Sequence, residues 1–467
     1  MVNDLKALMR ENVANPPPDH ADPDGLVRAG RRRVRHRRTA VAGTAAAALV
    51  AVALVVTLGT ATPATTPTDP AQRHSQRLPA ADPPQPEAGK LRLADANAAV
   101  EGRDYRVLAA HTNDNLNSDN GQYFDGVTDD GLIVFRDGPR MDQPLPRMAL
   151  VDPATGDKDW LPDPGTEQDQ TWPVELSADR LTLVSTTASD ISAGGLPEMK
   201  LAAHIFDRST RQWTSVTWPK LPTADGSRVT LGPDGRLYVP VAATGGKPPT
   251  GVRESDPGAD PDPAVEFDES DAPGDTYHLW SVSLTNSNDV RDQALTVGDV
   301  AFTDTSMVWT DSTNGDSGMI HTRDLATGTE RSFDPKSGAR CNLVSFGATE
   351  TRVILSQYCG TYAGGVRDDR VQVLTSDGDQ VVTIQDSGIE GRIAGLRGAN
   401  SLVTLTSSAP KRGGTYVYDL DGGQFLRVSD AVSSFDMGGP TPAGQFLWHT
   451  PDNHRQGATQ RLGQILN

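Results

Sequence analysis

Six stretches of nine residues align without a gap: Met148–Gly156, Ala203–Arg211, Leu279–Ser287, Ile320–Gly328, Arg370–Gly378 and Thr415–Gly423. Each reads as a strand running into a tight turn of Asp, Ser, Thr or Gly, residues that bond their own backbone or accept positive φ. The fifth positions fall at 152, 207, 283, 324, 374 and 419, so the unit recurs after 55, 76, 41, 50 and 45 residues. A period near 50 restricts the chain to stacked or radial β units, because one such unit cannot bury its apolar face alone.

A turn and a short apolar strand precede each window. Examples are Asp129-Asp130-Gly131 before Leu132–Phe135, Ala178-Asp179-Arg180 before Leu181–Val184, and Pro233-Asp234-Gly235 before Leu237–Val239. Met307–Trp309, Val353–Leu355, Leu402–Leu405 and Phe446–Trp448 continue the series. Seven hairpins therefore face six third strands. A closed ring accounts for the mismatch, with the N-terminal strand Tyr105–Ala109 completing the last sheet and no edge left open.

These residues resemble a known family. Gly232-Pro-Asp-Gly-Arg-Leu-Tyr-Val239, Val151-Asp-Pro-Ala-Thr-Gly156 and Asp324-Leu-Ala-Thr-Gly328 look like the turns of TolB-like and WD-related bacterial β-propellers. No Trp-Asp dipeptide closes the third strands, as it would in true WD repeats. The resemblance implies an all-β fold over residues 91–467, a single seven-bladed propeller of four-stranded antiparallel blades. It specifies blade geometry and transfers no functional residue. A pair of β-sandwiches is the alternative, disfavoured by the single period.

Ahead of the repeats, the chain divides into three compartments. Arg31, Arg32, Arg33, Arg35, Arg37 and Arg38 run into 21 uncharged residues, 39–59. A helix of that length spans ~31 Å, enough for a bilayer core, and arginines on one flank place that flank in the cytoplasm. The expectation is a cytoplasmic tail over 1–38, a transmembrane helix over 39–60 and a Pro/Thr-rich linker over 61–90. The C-terminal domain then lies outside the cell membrane. A cleaved signal peptide is the competing reading, but its apolar stretch is shorter, ~7–15 residues. The tail is similar to actinobacterial membrane proteins associated with alternative sigma factors, which implies a cytoplasmic protein partner, although their Cys/His zinc motif is missing. Heavy use of Ala, Arg, Asp, Gly and Pro also fits a GC-rich actinobacterial genome.

Charge sorts the same way. Residues 1–61 carry 9 Lys/Arg against 5 Asp/Glu, and the remainder 34 against 56. An external domain this acidic is no ligand for nucleic acid. The widest spacing holds an insertion, 251–275, whose stretch from Glu254 to Asp275 has nine acidic residues and four prolines without Lys or Arg. That composition reads as a solvated loop. Calcium is the one cofactor it admits, and the alternating Asp order of a tight site is missing.

The two cysteines, Cys341 and Cys359, flank a hairpin centred on Glu350. Opposed residues then sum to 700, which pairs the two cysteines directly, at a Cα separation of ~4.5–5.5 Å that a disulfide tolerates. One structural disulfide is predicted, worth ~3 kcal/mol for a loop of this size.

Further candidates are few. His204 and His321 share one repeat position, which accounts for both without a zinc site. Gly315-Asp316-Ser317-Gly318-Met319 approaches a nucleophile elbow with its second glycine one place early. Trp213 and Trp218 form the one suggestive aromatic pair. No catalytic, cofactor or metal residue stands out, so the sequence points to a membrane-anchored, non-enzymatic binding or sensing module for a protein or glycan outside, signalling through its tail. The alternatives are an extracytoplasmic propeller enzyme, a lyase or glycosidase, and a structural envelope protein.

Overall fold

The structure, a computed structural model, describes residues 89–466 apart from 114–121, 139–146, 166–170, 189–198, 223, 225, 243–273, 336–340, 362–365, 368, 396–399, 410, 433–439 and 452–457. The expected tail, transmembrane helix and linker lie outside the described residues, as does the insertion up to residue 273. No helix of the described residues is long and apolar enough to cross a membrane.

Seven separate sheets follow one another along the chain. Blade 1 runs Gln122–Val127, Ile133–Asp137, Arg147–Val151, Lys158–Trp160. Blade 2 is Thr171–Leu176, Arg180–Ala188, Met199–Asp207, Gln212–Thr217, and blade 3 is Thr230–Leu231, Arg236–Ala242, Tyr277–Ser283, Val290–Val297. Blade 4 comprises Val300–Phe302, Ser306–Thr310, Ile320–Asp324, Glu330–Phe333, and blade 5 Cys341–Ala348, Arg352–Thr361, Asp369–Thr375, Gln380–Asp386. Blade 6 is Ile389–Ile393, Leu402–Ser407, Gly414–Asp419, Phe425–Ser429. Within each blade consecutive strands pair antiparallel, and the first strands of blades 1 and 2, 2 and 3, 4 and 5, and 5 and 6 touch.

Strand alternation explains why the sheets close on each other. Successive side chains point to opposite faces, so each blade offers an apolar stripe to both neighbours. Ile133 and Phe135 pack on Leu447 and Leu462, while Val134 between them packs on Leu181 and Phe206. The buried apolar residues fall into seven clusters, one at each of the seven interfaces between neighbouring blades. The chain is a seven-bladed β-propeller.

Blade 7 closes the ring as the seven-to-six mismatch implied. Gln445–Pro451 pairs with Ala458–Ile465, which pairs with the N-terminal strand Tyr105–Thr112. This sheet has three strands among the described residues, one fewer than expected. Pro440 and Thr441 run beside the inner strands of both neighbours: the Val127 amide donates to the Pro440 carbonyl at 2.7 Å, and the Thr441 amide donates to the Ala394 carbonyl at 2.8 Å. The Asn400 side chain ties the same place together. It is fully buried, and its Nδ2 donates to Thr441 Oγ1 and the Pro442 carbonyl at 2.9 and 2.8 Å, and also to the Gln445 carbonyl. Its Oδ1 accepts from the Leu402 and Gly444 amides at 3.1 and 3.2 Å.

Before reaching blade 7 the N-terminal segment straps two other blades. Lys90–Leu91 pairs parallel with the rim strand of blade 5, and Asn97–Ala98 pairs parallel with the rim strand of blade 6. Between them Leu93 is 3% exposed, seated in the cluster between those blades.

The cysteines are joined, and Cys341 lies directly opposite Cys359 with their Cα atoms 4.1 Å apart. The register summing to 700 holds from Cys341 to Leu343 and then shifts by one, since Ser345 faces Ser356. A bulge at Val344 takes up the extra residue and moves the hairpin centre past Glu350.

Candidate functional site

Strand direction sorts the connections onto two faces of the ring. The motif turns, such as Asp129–Gly131, Pro233–Gly235, Asp152–Gly156 and Asp324–Gly328, join first to second and third to fourth strands, so they share one face. They are short and self-bonded: Asp324 Oδ1 accepts the Ala326 and Thr327 amides at 3.0 and 2.7 Å. The opposite face receives every second-to-third connection, including the one that contains the acidic insertion. Loops there are where a rigid scaffold carries function.

Carboxylates on the inner strands do not form a catalytic pair. Asp125 accepts from Arg136, Glu175 from Arg180 at 2.8 Å, Asp299 from Arg228 at 2.8 Å, and Glu390 from Arg392 at 3.3 Å. Each is matched to an arginine from its own or an adjoining element. Among the described residues no group of three or more His, Cys, Asp or Glu could hold a metal ion.

The exception is in blade 4. Asp311, just past the second strand, places Oδ1 2.7 Å from Nε2 of His321, the second residue of the third strand. Trp309 lies directly across from His321 in the ladder and stacks on its ring, 5.2 Å between centroids and 12° from parallel. The other carboxylate oxygen accepts the Met319 amide at 2.8 Å. Gly318 makes this possible: it has φ +64°, and a Cβ there would fall 2.6 Å from Asp311 Oδ2. With the carboxylate accepting, the imidazole hydrogen sits on Nε2, and the Nδ1 lone pair is the basic site. The His321 side chain is half-buried, 27% exposed.

His204 occupies the equivalent repeat position in blade 2 and has the opposite character. Its Nε2 lies 2.7 Å from Ser185 Oγ and its Nδ1 2.9 Å from Ser215 Oγ. Ser185 is fully buried and His204 is 4% exposed, which makes this a core bridge closed to substrates. Burial pushes the His204 pKa down. The native protein therefore resists protonation that the unfolded chain accepts near pH 6.5. Stability from this group is complete above that pH and falls as pH drops from it through the lower native value. Urea unfolding at a series of pH values between 7 and 5 should show a shallower decline for His204→Gln than for the wild type.

The remaining sequence candidates resolve as structure. Ser317 is fully buried, so Gly315–Met319 is no nucleophile elbow. Trp213 packs on Phe206 and donates to the Pro162 carbonyl at 2.8 Å, while Trp218 donates to the Ser283 carbonyl at 2.8 Å. The two indoles make no shared platform. A cleft of about 450 Å³ between blades 1 and 2 has an apolar floor of Leu132, Leu150 and Phe206. Its arginines, Arg208 and Arg211, are already bound by Asp130 and Asp159.

No protein-family model matches the chain, and no curated protein matches it in sequence. Among solved structures the chain is similar to one described in a study of two prolyl endopeptidases, at 16% identity and TM-score 0.41 over 79% of this chain and 48% of that one. It is similar to the acylaminoacyl peptidase of Pyrococcus horikoshii at 11% identity and TM-score 0.40, over 66% and 45% of the two chains. The β-propeller domain of the Trilobed protease from Pyrococcus furiosus gives 9% identity and TM-score 0.40, over 66% and 80%. The chain thus spans about half the length of the two peptidases, which are 48% and 45% covered. The expectation of a non-enzymatic module meets a correction here, in that the solved structures of similar fold include peptidases. At these scores the likeness is one of fold, and no residue or substrate of theirs is carried over.

Proposed function

We propose that this chain is a membrane-anchored extracytoplasmic hydrolase, with His321 as general base and Asp311 as the carboxylate that orients it. The observation that carries this reading is the Asp311–His321 pair at 2.7 Å on the loop-bearing face. The base takes a proton from water through Nδ1, and Asp311 stabilises the imidazolium that results. One imidazole base with a single, fully engaged carboxylate suits attack of water on an acyl bond. A glycosidase needs two carboxylates flanking the bond, about 5–10 Å apart, and Asp311 is committed to His321 and Met319.

A panel of fluorogenic peptide amides and acyl esters, offered to the full chain in detergent, tests the reading. Turnover that disappears with His321→Ala supports it. No turnover across the panel, or turnover indifferent to His321, rejects it. The anchor belongs to the same proposal. The arginines at 31–38 and the uncharged residues 39–59 support a single span with the N-terminus inside, and the turn motifs fit a TolB-like ectodomain. Alkaline phosphatase fused after residue 88 should be active in whole cells and inactive when fused after residue 30. The reverse pattern, or activity from both, defeats this topology.

A further inference from the structure

The loop Asp311–Met319 that carries the orienting carboxylate is fastened on three sides. Within itself, the Asp311 amide donates to the Ser317 and Met319 carbonyls at 3.1 and 3.2 Å. Towards blade 3, Thr313 and Asp275 exchange backbone hydrogen bonds at 2.6 and 3.0 Å, and Asn314 Nδ2 donates to Asp275 Oδ2 at 2.7 Å. Towards blade 5, the Leu343 amide donates to the Gly315 carbonyl at 2.8 Å.

Leu343 lies in the first strand of blade 5, Cys341–Ala348, above the bulge that divides it, and is itself buried. Among the described residues three ladder positions, Cys341–Cys359, Asn342–Tyr358 and Leu343–Gln357, precede the register break at Val344, after which the ladder resumes at Ser345–Ser356. Gln357, opposite Leu343, is fully buried, and neither side-chain amide atom has a hydrogen-bond partner. Polar atoms stranded this way weaken the segment that contains them. The cross-link is the covalent hold on this end of the strand, and both sulfurs belong to residues at most 5% exposed.

We propose that the Cys341–Cys359 disulfide is a positioning device for the Asp311–His321 pair, acting through Leu343 and Gly315 on the Asp311 loop. The inference rests on the hydrolase reading for its functional meaning, but its structural content stands apart from it. Reduction by a dithiol delivers two electrons and two protons to the sulfur–sulfur bond, giving two thiols while the dithiol closes to its own disulfide. The strand end then frays, Gly315 loses its partner, and Asp311 drifts from His321. The site would be assembled only where oxidation is maintained, as it is outside the cell membrane.

The test is peptide-resolved hydrogen–deuterium exchange on the full chain in detergent, with and without dithiothreitol, and on the Cys341→Ala/Cys359→Ala variant. Peptides covering 341–348 and 311–321 should exchange at least about 10-fold faster in both arms, while a peptide covering 147–151 in blade 1 keeps its rate. Unchanged exchange over 311–321, or equal acceleration in all three regions, overturns the proposal. Hydrolysis of a fluorogenic peptide amide is read in the same samples. A wild type that shows the exchange pattern without hydrolysis removes the hydrolase reading and leaves the coupling standing. A hydrolase whose rate survives reduction removes the coupling and leaves the hydrolase.

Discussion

The His321→Ala variant is expected to hydrolyse its substrate about 10²- to 10⁴-fold more slowly than the wild type, the usual contribution of a positioned general base. Binding should change little, so the loss appears in kcat and equally in kcat/KM. Asp311→Asn is the sharper companion. An asparagine Nδ2 in that place donates to Nε2 where the carboxylate accepted, which moves the imidazole hydrogen to Nδ1 and removes the basic lone pair from that nitrogen. Shape is kept while the tautomer is reversed, so a comparable loss is expected despite an unchanged fold. Near-wild-type rates for Asp311→Asn would show that the carboxylate serves only the Met319 amide. Initial rates for both variants, beside circular dichroism spectra that confirm folding, make the measurement.

Asn400→Ala should be the most destabilising single substitution at the ring closure, costing about 2–3 kcal/mol. The estimate follows from what the side chain satisfies: it accepts from the Gly444 amide, while the Pro442 and Gln445 carbonyls that it also bonds keep the Gln445 amide and the Thr441 hydroxyl as donors. One buried polar group left alone costs about 1–3 kcal/mol, and the lost links across three blades add to it. Asn400→Asp separates donors from acceptors. It preserves acceptance from Leu402 and Gly444 but turns a carboxylate towards three oxygens, so it should be no better than alanine at neutral pH. Urea midpoints within about 0.5 kcal/mol of the wild type would mean that Thr441 alone secures the inner position of blade 7.

Local signals were legible in the sequence and long-range ones were not. The motif turns and the strands beside them are decided by neighbouring residues, which is why Pro233–Gly235 and Asp324–Gly328 are recognisable without partners. The cysteine pairing could be read because a hairpin is itself local, and it survived a bulge because that bulge lies below the cysteines. Blade 7 was partly legible: the count implied closure by Tyr105–Ala109, but an inner position held by Asn400, Thr441 and Pro440 follows from contacts between three blades. The strap at Lys90–Leu91 and Asn97–Ala98 has only two residues per contact and no periodicity to find.

The site failed for a different reason. His204 and His321 are interchangeable in the repeat alignment, and what separates them is the residue each meets across the hairpin. Register delivers Ser185 to one and a loop residue, Asp311, to the other. Looking for a carboxylate just beyond the strand preceding each repeat histidine yields Asp311 and also Asp190, so it narrows the choice without making it. The motif turns drew attention instead to the opposite face, where regular short turns leave no room for chemistry.

The strap also fixes the order of events during synthesis. Residues 90–112 leave the ribosome before any of the blades, yet every strand they pair with comes from the last three blades. They must wait, unpaired, while blades 1 to 4 assemble and until Ala458–Ile465 emerges. Bringing such distant segments together carries a loop-closure cost that grows only slowly with length, but it puts the step late and makes it slow. Until then, the rim strands of blades 5 and 6 stand open to pairing with another chain. A protein built this way should fold as an open array that snaps shut at the end, and its dependence on chaperones should be greatest in the moments before the first residues meet the last.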